Sequence, residues 1–321
     1  MCESISRRTL LQGAATSALA VTLGEETRAA DLAPRAGEPG QLPMRELGKT
    51  GVRVPILGYG TAPLGLRRSL SEGIAILNEA IDRGVTYMDT APRFMNYGQA
   101  QVMLGEVLNA RRKKVFLVTK CFRSTYDETL QLLEQNLKEL KTDHADLVYV
   151  HSLGDLDYET VIGPKGAFAA LEKAREMGLT RFIGVSGHNR PRRFLEVLER
   201  FDIDVMMNVV NFVDQFTYNF ENRVWPVAAR KKVGLVGMKV FGGIKGTGAW
   251  LPAEHMPLAY RYAQSLPHIT TAVIGMGTRD ELLQNIAWAQ ALKPLTDAER
   301  AQMADLGRRL AAEWRDHLGP A

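Results

Sequence analysis

The sequence predicts a (β/α)8 TIM barrel, and three observations carry that prediction. Short apolar runs of strand length recur eight times, longer amphipathic segments separate them, and the first run lacks the G-x-G-x-x-G turn of an open dinucleotide-binding sheet. Such alternation describes parallel βα units. The chain of 321 residues with 45% apolar content can fill one core of this size, since barrels of this class take about 250 residues.

The first residues stand apart from that fold. Ser6-Arg7-Arg8-Thr9-Leu10-Leu11-Gln12 precedes the small, apolar run from Gly13 to Leu23. Paired arginines, a weakly hydrophobic segment and later small residues resemble a twin-arginine export signal. Residues 1–30 are therefore read as a signal, 31–43 as a Pro- and Gly-rich linker, and 44–321 as one domain. The apolar run is too short to span a bilayer, so no stable membrane anchor is expected. The expected partner is the twin-arginine export machinery, and the expected location is periplasmic after folding in the cytoplasm. A disordered basic tail is the competing reading. The net charge of +4 is spread along the chain, which excludes a nucleic-acid arm. Two cysteines, Cys2 and Cys121, supply neither a disulfide framework nor a metal cluster.

From Met44 the elements follow in order. Met44 to Leu47 and Val52 to Val54 read as a hairpin around a glycine-flanked turn. The eight strands are Ile56 to Gly60, Val85 to Asp89, Val115 to Lys120, Asp146 to His151, Arg181 to Ser186, Val205 to Asn211, Leu235 to Phe241 and Thr271 to Gly275. Helices are expected over Ser71 to Arg83, Glu128 to Leu140, Phe168 to Met177 and Arg192 to Arg200, with apolar residues at i, i+3 and i+4 spacing. Asp297 to His317 is read as an extra C-terminal helix packed on the barrel.

In such a barrel the chemistry sits at the C-terminal ends of the strands. Those ends present Asp89, Lys120 and His151, each 31 positions from the next. Adjacent strands lie about 4.8 Å apart, so the three side chains can share one mouth. An aspartate at the tip of an apolar strand needs a charge partner, and Lys120 is the expected one. A lysine so placed lowers the pKa of a nearby phenol. A tyrosine tuned in this way acts as general acid towards a carbonyl oxygen, to which His151 donates a hydrogen bond. The structural alternative is a salt bridge with a polar histidine at the rim, where His188, Asn211 and Asp214 also fall.

These strand ends resemble those of the aldo-keto reductases. The likeness is carried by Asp89-Thr90-Ala91, Thr119-Lys120, Tyr149-Val150-His151, Ile183-Gly184-Val185-Ser186 and Met238-Lys239-Val240-Phe241-Gly242-Gly243, and spans about Met44 to Leu292. Val185-Ser186-Gly187-His188 is similar to a bacterial branch that often carries twin-arginine signals, without the ferredoxin-like tail of some members. The resemblance implies hydride transfer between a nicotinamide cofactor and a small or sugar-like aldehyde or ketone, or the reverse oxidation of an alcohol. It implies that Ser186 and Asn208 hold the carboxamide, that Met238 replaces a stacking aromatic, and that Lys239 and Gly242 approach the pyrophosphate. Gly275, Gly277, Thr278 and Arg279 would open a helix whose N-terminus suits a phosphate, with Asn285 on the adenine side. Arg279 points to NADP(H) over NAD(H), and Glu281 pulls the other way.

One departure from the family pattern bears on catalysis. The family's tyrosine lies five residues after the aspartate, and that position is Phe94; Tyr97 stands three residues further on. Either a longer, glycine-flanked loop brings Tyr97 to the catalytic place, which is the expected arrangement, or Phe94 fills it. A phenyl ring has no proton to give, and the second case implies a nicotinamide-binding but weakly active barrel serving as a sensor or partner-binding protein. A Schiff-base role for Lys120 is opposed by Asp89, which keeps the amine protonated.

Overall fold

The computed structural model describes residues 41–243 and 248–321. The expected export signal and the linker up to residue 40 lie outside the described residues. Leu42, inside the expected linker, is already buried in the core.

An antiparallel hairpin comes first, β1 (Met44–Glu46) and β2 (Arg53–Pro55), with Met44 opposite Pro55. Eight strands then form the barrel: β3 (Leu57–Gly60), β4 (Tyr87–Asp89), β5 (Phe116–Cys121), β6 (Ala145–Val150), β7 (Thr180–Gly187), β8 (Val205–Val209), β9 (Gly234–Met238) and β10 (Ile269–Gly275). All neighbouring pairs are parallel, and β10 pairs with both β9 and β3, which closes the ring. Strands β5 and β6 are buried at every position, as strands lined on one face and covered by helices on the other must be.

Two apolar layers follow from the alternation of side chains along each strand. Inside the ring Tyr87, Phe116, Val118, Leu147, Tyr149, Met207 and Val236 pack together with Leu47 and Val54 of the hairpin segment. The hairpin thus plugs the N-terminal end of the barrel and leaves the opposite end as the mouth. Two phenols in this interior, Tyr87 and Tyr149, satisfy each other at 3.2 Å, since an unpaired buried hydroxyl is costly.

Outside the ring the helices bury one stripe each. The helix Leu70–Asp82 starts at a capping box between Ser69 and Glu72, and Tyr126–Glu139 turns Leu132, Leu133 and Leu137 inward. The C-terminal helix runs Asp297–Trp314, three residues short of the expected end, because Arg315 has a φ of 52° and breaks it. Beyond it the chain bends back to the loops after β7 and β8. Asn189 donates to the Leu318 carbonyl at 2.7 Å, the Arg190 amide donates to Pro320, and His317 Nε2 lies 2.9 Å from Asp214 Oδ1. No described helix is long and apolar enough to cross a membrane.

Candidate active site

The ends of β4, β5 and β6 bring three of the expected residues to one place. Lys120 Nζ donates to Asp89 Oδ1 at 2.5 Å, to the Thr90 carbonyl at 3.0 Å and to Tyr97 Oη at 3.2 Å. Lys120 and Asp89 are each only 2% exposed. Three acceptors on one buried ammonium use its full donor capacity. His151, one strand further round, is buried with no partner for Nδ1 among the described residues.

Tyr97 arrives through a loop that is locked to the preceding unit. Arg93–Met95 form one 3-10 turn, Asn96 takes a left-handed φ of 61°, and Gly98 follows with a φ of 53°. The loop then lies directly on the helix Ala62–Arg67, where the Gln99 amide donates to the Gly65 carbonyl at 3.0 Å. A Cβ on Gly65 would stand 2.1 Å from the Tyr97 carbonyl, and one on Gly98 would stand 2.3 Å from that of Gly65. Only glycines allow this approach. It turns Tyr97 inward and Phe94 outward: Phe94 is 51% exposed, with the Arg123 guanidinium 4.7 Å from its ring centroid.

Burial dominates the electrostatics here. It pulls the Lys120 ammonium down, but Asp89 and Tyr97 together hold that group above its ordinary pKa, so it stays charged. Burial also raises the Tyr97 phenol above 10, outweighing the opposing pull of Lys120. The lowered phenol expected from the sequence is therefore corrected: the lysine moderates a rise and does not reverse it, because burial and the neighbouring Asp89 carboxylate both act against it. His151 is pushed well below its ordinary value by burial and then by Lys120, which leaves a neutral imidazole with one N–H donor. His188 nearby falls to about 3 through burial and the charges of Lys239 and Lys120.

The residues expected to hold a cofactor lie along the ends of β7 to β10. Ser186 and Asn208 sit on neighbouring strands, with Gly187 opposite Asn208. Asn208 is engaged at both ends of its amide, donating to the Gly187 carbonyl at 3.4 Å and accepting from Trp225 Nε1 at 3.1 Å. Met238 ends β9, and Lys239 has a φ of 57° with Nζ donating to the Gly243 carbonyl at 3.3 Å. Burial lowers the Lys239 ammonium, and no described carboxylate pairs with it. Gly242 has a φ of 105° and is covered by Ala249 and Trp314.

After β10, Gly275 and Gly277 pack on Pro63, and Thr278 caps the helix Arg279–Gln290. Asn285 leaves its Oδ1 buried and unpartnered among the described residues. Arg279 is held by both oxygens of Glu79, at 2.7 and 2.8 Å. The Gly277 amide donates to the Glu281 carboxylate at 2.6 Å, so that helix start already carries an anion.

A supporting network had no reading in the sequence. Asn136 donates to the Lys120 carbonyl at 3.0 Å, Gln101 donates to Asn136 and Glu139, and Thr119 donates to Gln101 at 2.8 Å. Asn136, Gln101 and Thr119 are buried polar groups that fix the end of β5. Gln101 follows the Tyr97-Gly98 turn by three residues, and a polar residue on the inward face of that helix was the available signal.

Comparison with known proteins agrees with this geometry. Residues 56–249 match the Aldo/keto reductase family. Pyridoxal 4-dehydrogenase of Microbacterium luteolum is 25% identical over 325 residues, covering 78% of this chain and 94% of its own. L-galactose dehydrogenase of Arabidopsis thaliana is 24% identical, covering 79% of this chain and 90% of its own. Among solved structures, an aldo-keto reductase of Pseudomonas aeruginosa superposes with a TM-score of 0.64 at 27% identity, covering 78% of this chain and 96% of its own. With that match over the barrel and eight parallel strands closed around it, the chain belongs to the aldo/keto reductase family and is an oxidoreductase acting between carbonyl compounds and alcohols.

Proposed function

We propose that Tyr97 is the general acid of this oxidoreductase, with Lys120 and Asp89 setting its hydrogen bond and His151 orienting the carbonyl. The observation that carries the reading is the Tyr97 hydroxyl 3.2 Å from Lys120 Nζ, with Phe94 turned to solvent. Lys120 occupies the phenol's lone pair, which directs the phenolic proton towards a substrate oxygen. Neutral His151 offers its N–H to the same oxygen as negative charge develops there. Asp89 keeps Lys120 charged throughout, and the buried setting strengthens each of these interactions.

A nicotinamide dinucleotide, when bound, supplies or accepts the hydride. The residues at the ends of β7 to β10 fit such a group: Lys239 is a half-buried cation that forms no ion pair among the described residues, and Asn285 Oδ1 is a buried acceptor without a described partner. Lys239 would meet the pyrophosphate and Ser186 the carboxamide. Asn208, tied to Gly187 and Trp225, would support Ser186 from the next strand. Arg279, the residue from which the sequence points to NADP(H), is neutralised by Glu79, and Glu281 fills the helix start beside it. A 2′-phosphate would displace two carboxylates there, so the balance moves to NAD(H).

The substrate is read as a small or sugar-like carbonyl compound. The names of two relatives, one acting on pyridoxal and one on L-galactose, support that range. Tyr97 stays protonated at neutral pH, which suits reduction, whereas oxidation needs the phenolate and gains from rising pH. The twin-arginine signal at Arg7 and Arg8 supports export of the folded protein to the periplasm. Replacing both arginines with lysine and measuring the periplasmic fraction tests that step.

The activity is tested by titrating the purified protein with NADH and NADPH and following cofactor oxidation over a panel of carbonyl compounds. Turnover with binding in the micromolar range is expected. Binding with no turnover of any carbonyl would overturn the role given to Tyr97.

A further inference from the structure

We propose that Arg123 selects carbonyl substrates that carry an anionic group, a carboxylate or a phosphate, by gripping that group at the rim while the carbonyl faces Tyr97 and His151. The inference rests on the reading of Tyr97 and His151 as the residues that meet the carbonyl. Arg123 lies just beyond the end of β5, three residues after Lys120. Its guanidinium stands 4.7 Å from the ring centroid of Phe94, on the loop that carries Tyr97. Its Nη1 donates to the Phe122 carbonyl at 2.8 Å, and the Phe122 ring meets His151 edge-on at 6.2 Å. A cation is therefore held at the rim, against the loop that carries Tyr97 and next to Phe122, whose ring meets His151.

Its charge has no described counterpart. Arg111, Arg112, Arg175, Arg261 and Arg279 each pair with a carboxylate, whereas the described contacts of Arg123 are a backbone oxygen and an aromatic face. One of the five N–H donors of a guanidinium is used, which leaves a planar fork able to take two oxygens of an oxyanion. The ring on which the guanidinium lies, Phe94, is 51% exposed. An exposed apolar ring beside a guanidinium with no described carboxylate suits a short carbon chain with an anionic end. Lysine in place of arginine would keep the charge and lose the fork.

The test compares two aldehydes of equal chain length, 4-oxobutanoate and butanal, in steady-state assays with saturating cofactor. The acid is expected to have the higher kcat/KM by about 10- to 100-fold, expressed chiefly in KM, from a charged hydrogen-bonded pair at a partly exposed site. Arg123→Gln should bring the ratio close to one, and Arg123→Lys should keep part of it. A ratio near one in the unaltered protein, or a ratio that survives Arg123→Gln, overturns the proposal. The same proteins are titrated calorimetrically with butanoate, which cannot react. If neither aldehyde is turned over, the reading of Tyr97 and His151 fails by itself and the titration still decides the anion site: binding that Arg123→Gln removes supports it, and equal binding by both proteins overturns it.

Discussion

The Tyr97 hydroxyl stands 3.2 Å from the Lys120 ammonium although Tyr97 lies eight positions after Asp89, three more than Phe94. The added length is taken up by the 3-10 turn at Arg93–Met95 and the two left-handed residues Asn96 and Gly98. If Tyr97 donates the proton, Tyr97→Phe should lower kcat by on the order of 10²–10⁴-fold while cofactor affinity stays within a factor of a few. Phe94→Leu should cost less than about tenfold, since an exposed ring has no proton to supply. Steady-state kinetics with a cofactor titration on both variants checks this, and comparable losses in the two would sink the assignment.

Most of the barrel was legible because parallel strands buried on both faces leave unbroken apolar runs, as in β5 and β6. The convergence of Asp89, Lys120 and His151 was legible for a related reason: strand ends at one repeat spacing must share a mouth. The loop was not. Whether Tyr97 or Phe94 turns inward depends on the approach of Gly65 to Gly98, two residues from different units, and nothing local to the loop encodes that contact. The tail was equally hidden, because His317 finds Asp214 across 103 positions of sequence. The direction of the Tyr97 shift needed the degree of burial, which a list of neighbouring charges does not contain.

The Lys120–Asp89 pair is expected to matter more to folding than a surface bridge would. Removing one partner leaves a buried charge alone, at a cost of about 3–5 kcal/mol. Lys120→Met should therefore be strongly destabilised, and Asp89→Asn similarly. The double variant should recover a large part of the stability and none of the turnover. Urea denaturation of the four proteins, combined as a double-mutant cycle, gives the coupling; additive losses would show that the pair acts only locally.

A pH effect on stability is expected from Glu221, whose carboxyl accepts from Tyr262 at 3.0 Å. Burial raises its pKa to about 7 from an ordinary 4.5. A raised carboxyl binds its proton more tightly in the folded state. Its contribution to stability is therefore complete below about 4.5, is lost as pH rises through about 7, and changes little above that. The side chain is partly exposed, so the loss is about 3 kcal/mol at most. Denaturation of the unaltered protein and Glu221→Gln at pH 5 and pH 8 isolates this group. Relative to the variant, the unaltered protein should lose stability at the higher pH; a difference independent of pH would refute the shift.

Cofactor choice should respond to two carboxylates near the helix Arg279–Gln290. Glu79 holds Arg279 through both oxygens, and Glu281 accepts from the Gly277 amide at the start of that helix. Glu281→Gln removes the charge and keeps an acceptor for that amide, while Glu79→Gln releases the Arg279 charge. Each change should raise the NADPH-to-NADH ratio of kcat/KM by about 1.5- to 5-fold, and both together by about 2- to 25-fold. The gain should shrink at high salt, because the charges face solvent. Parallel assays with the two cofactors at low and high ionic strength make the measurement. A ratio unmoved by the double change would mean that the 2′-position does not meet this helix start, and the preference would then have to be set elsewhere along the ends of β9 and β10.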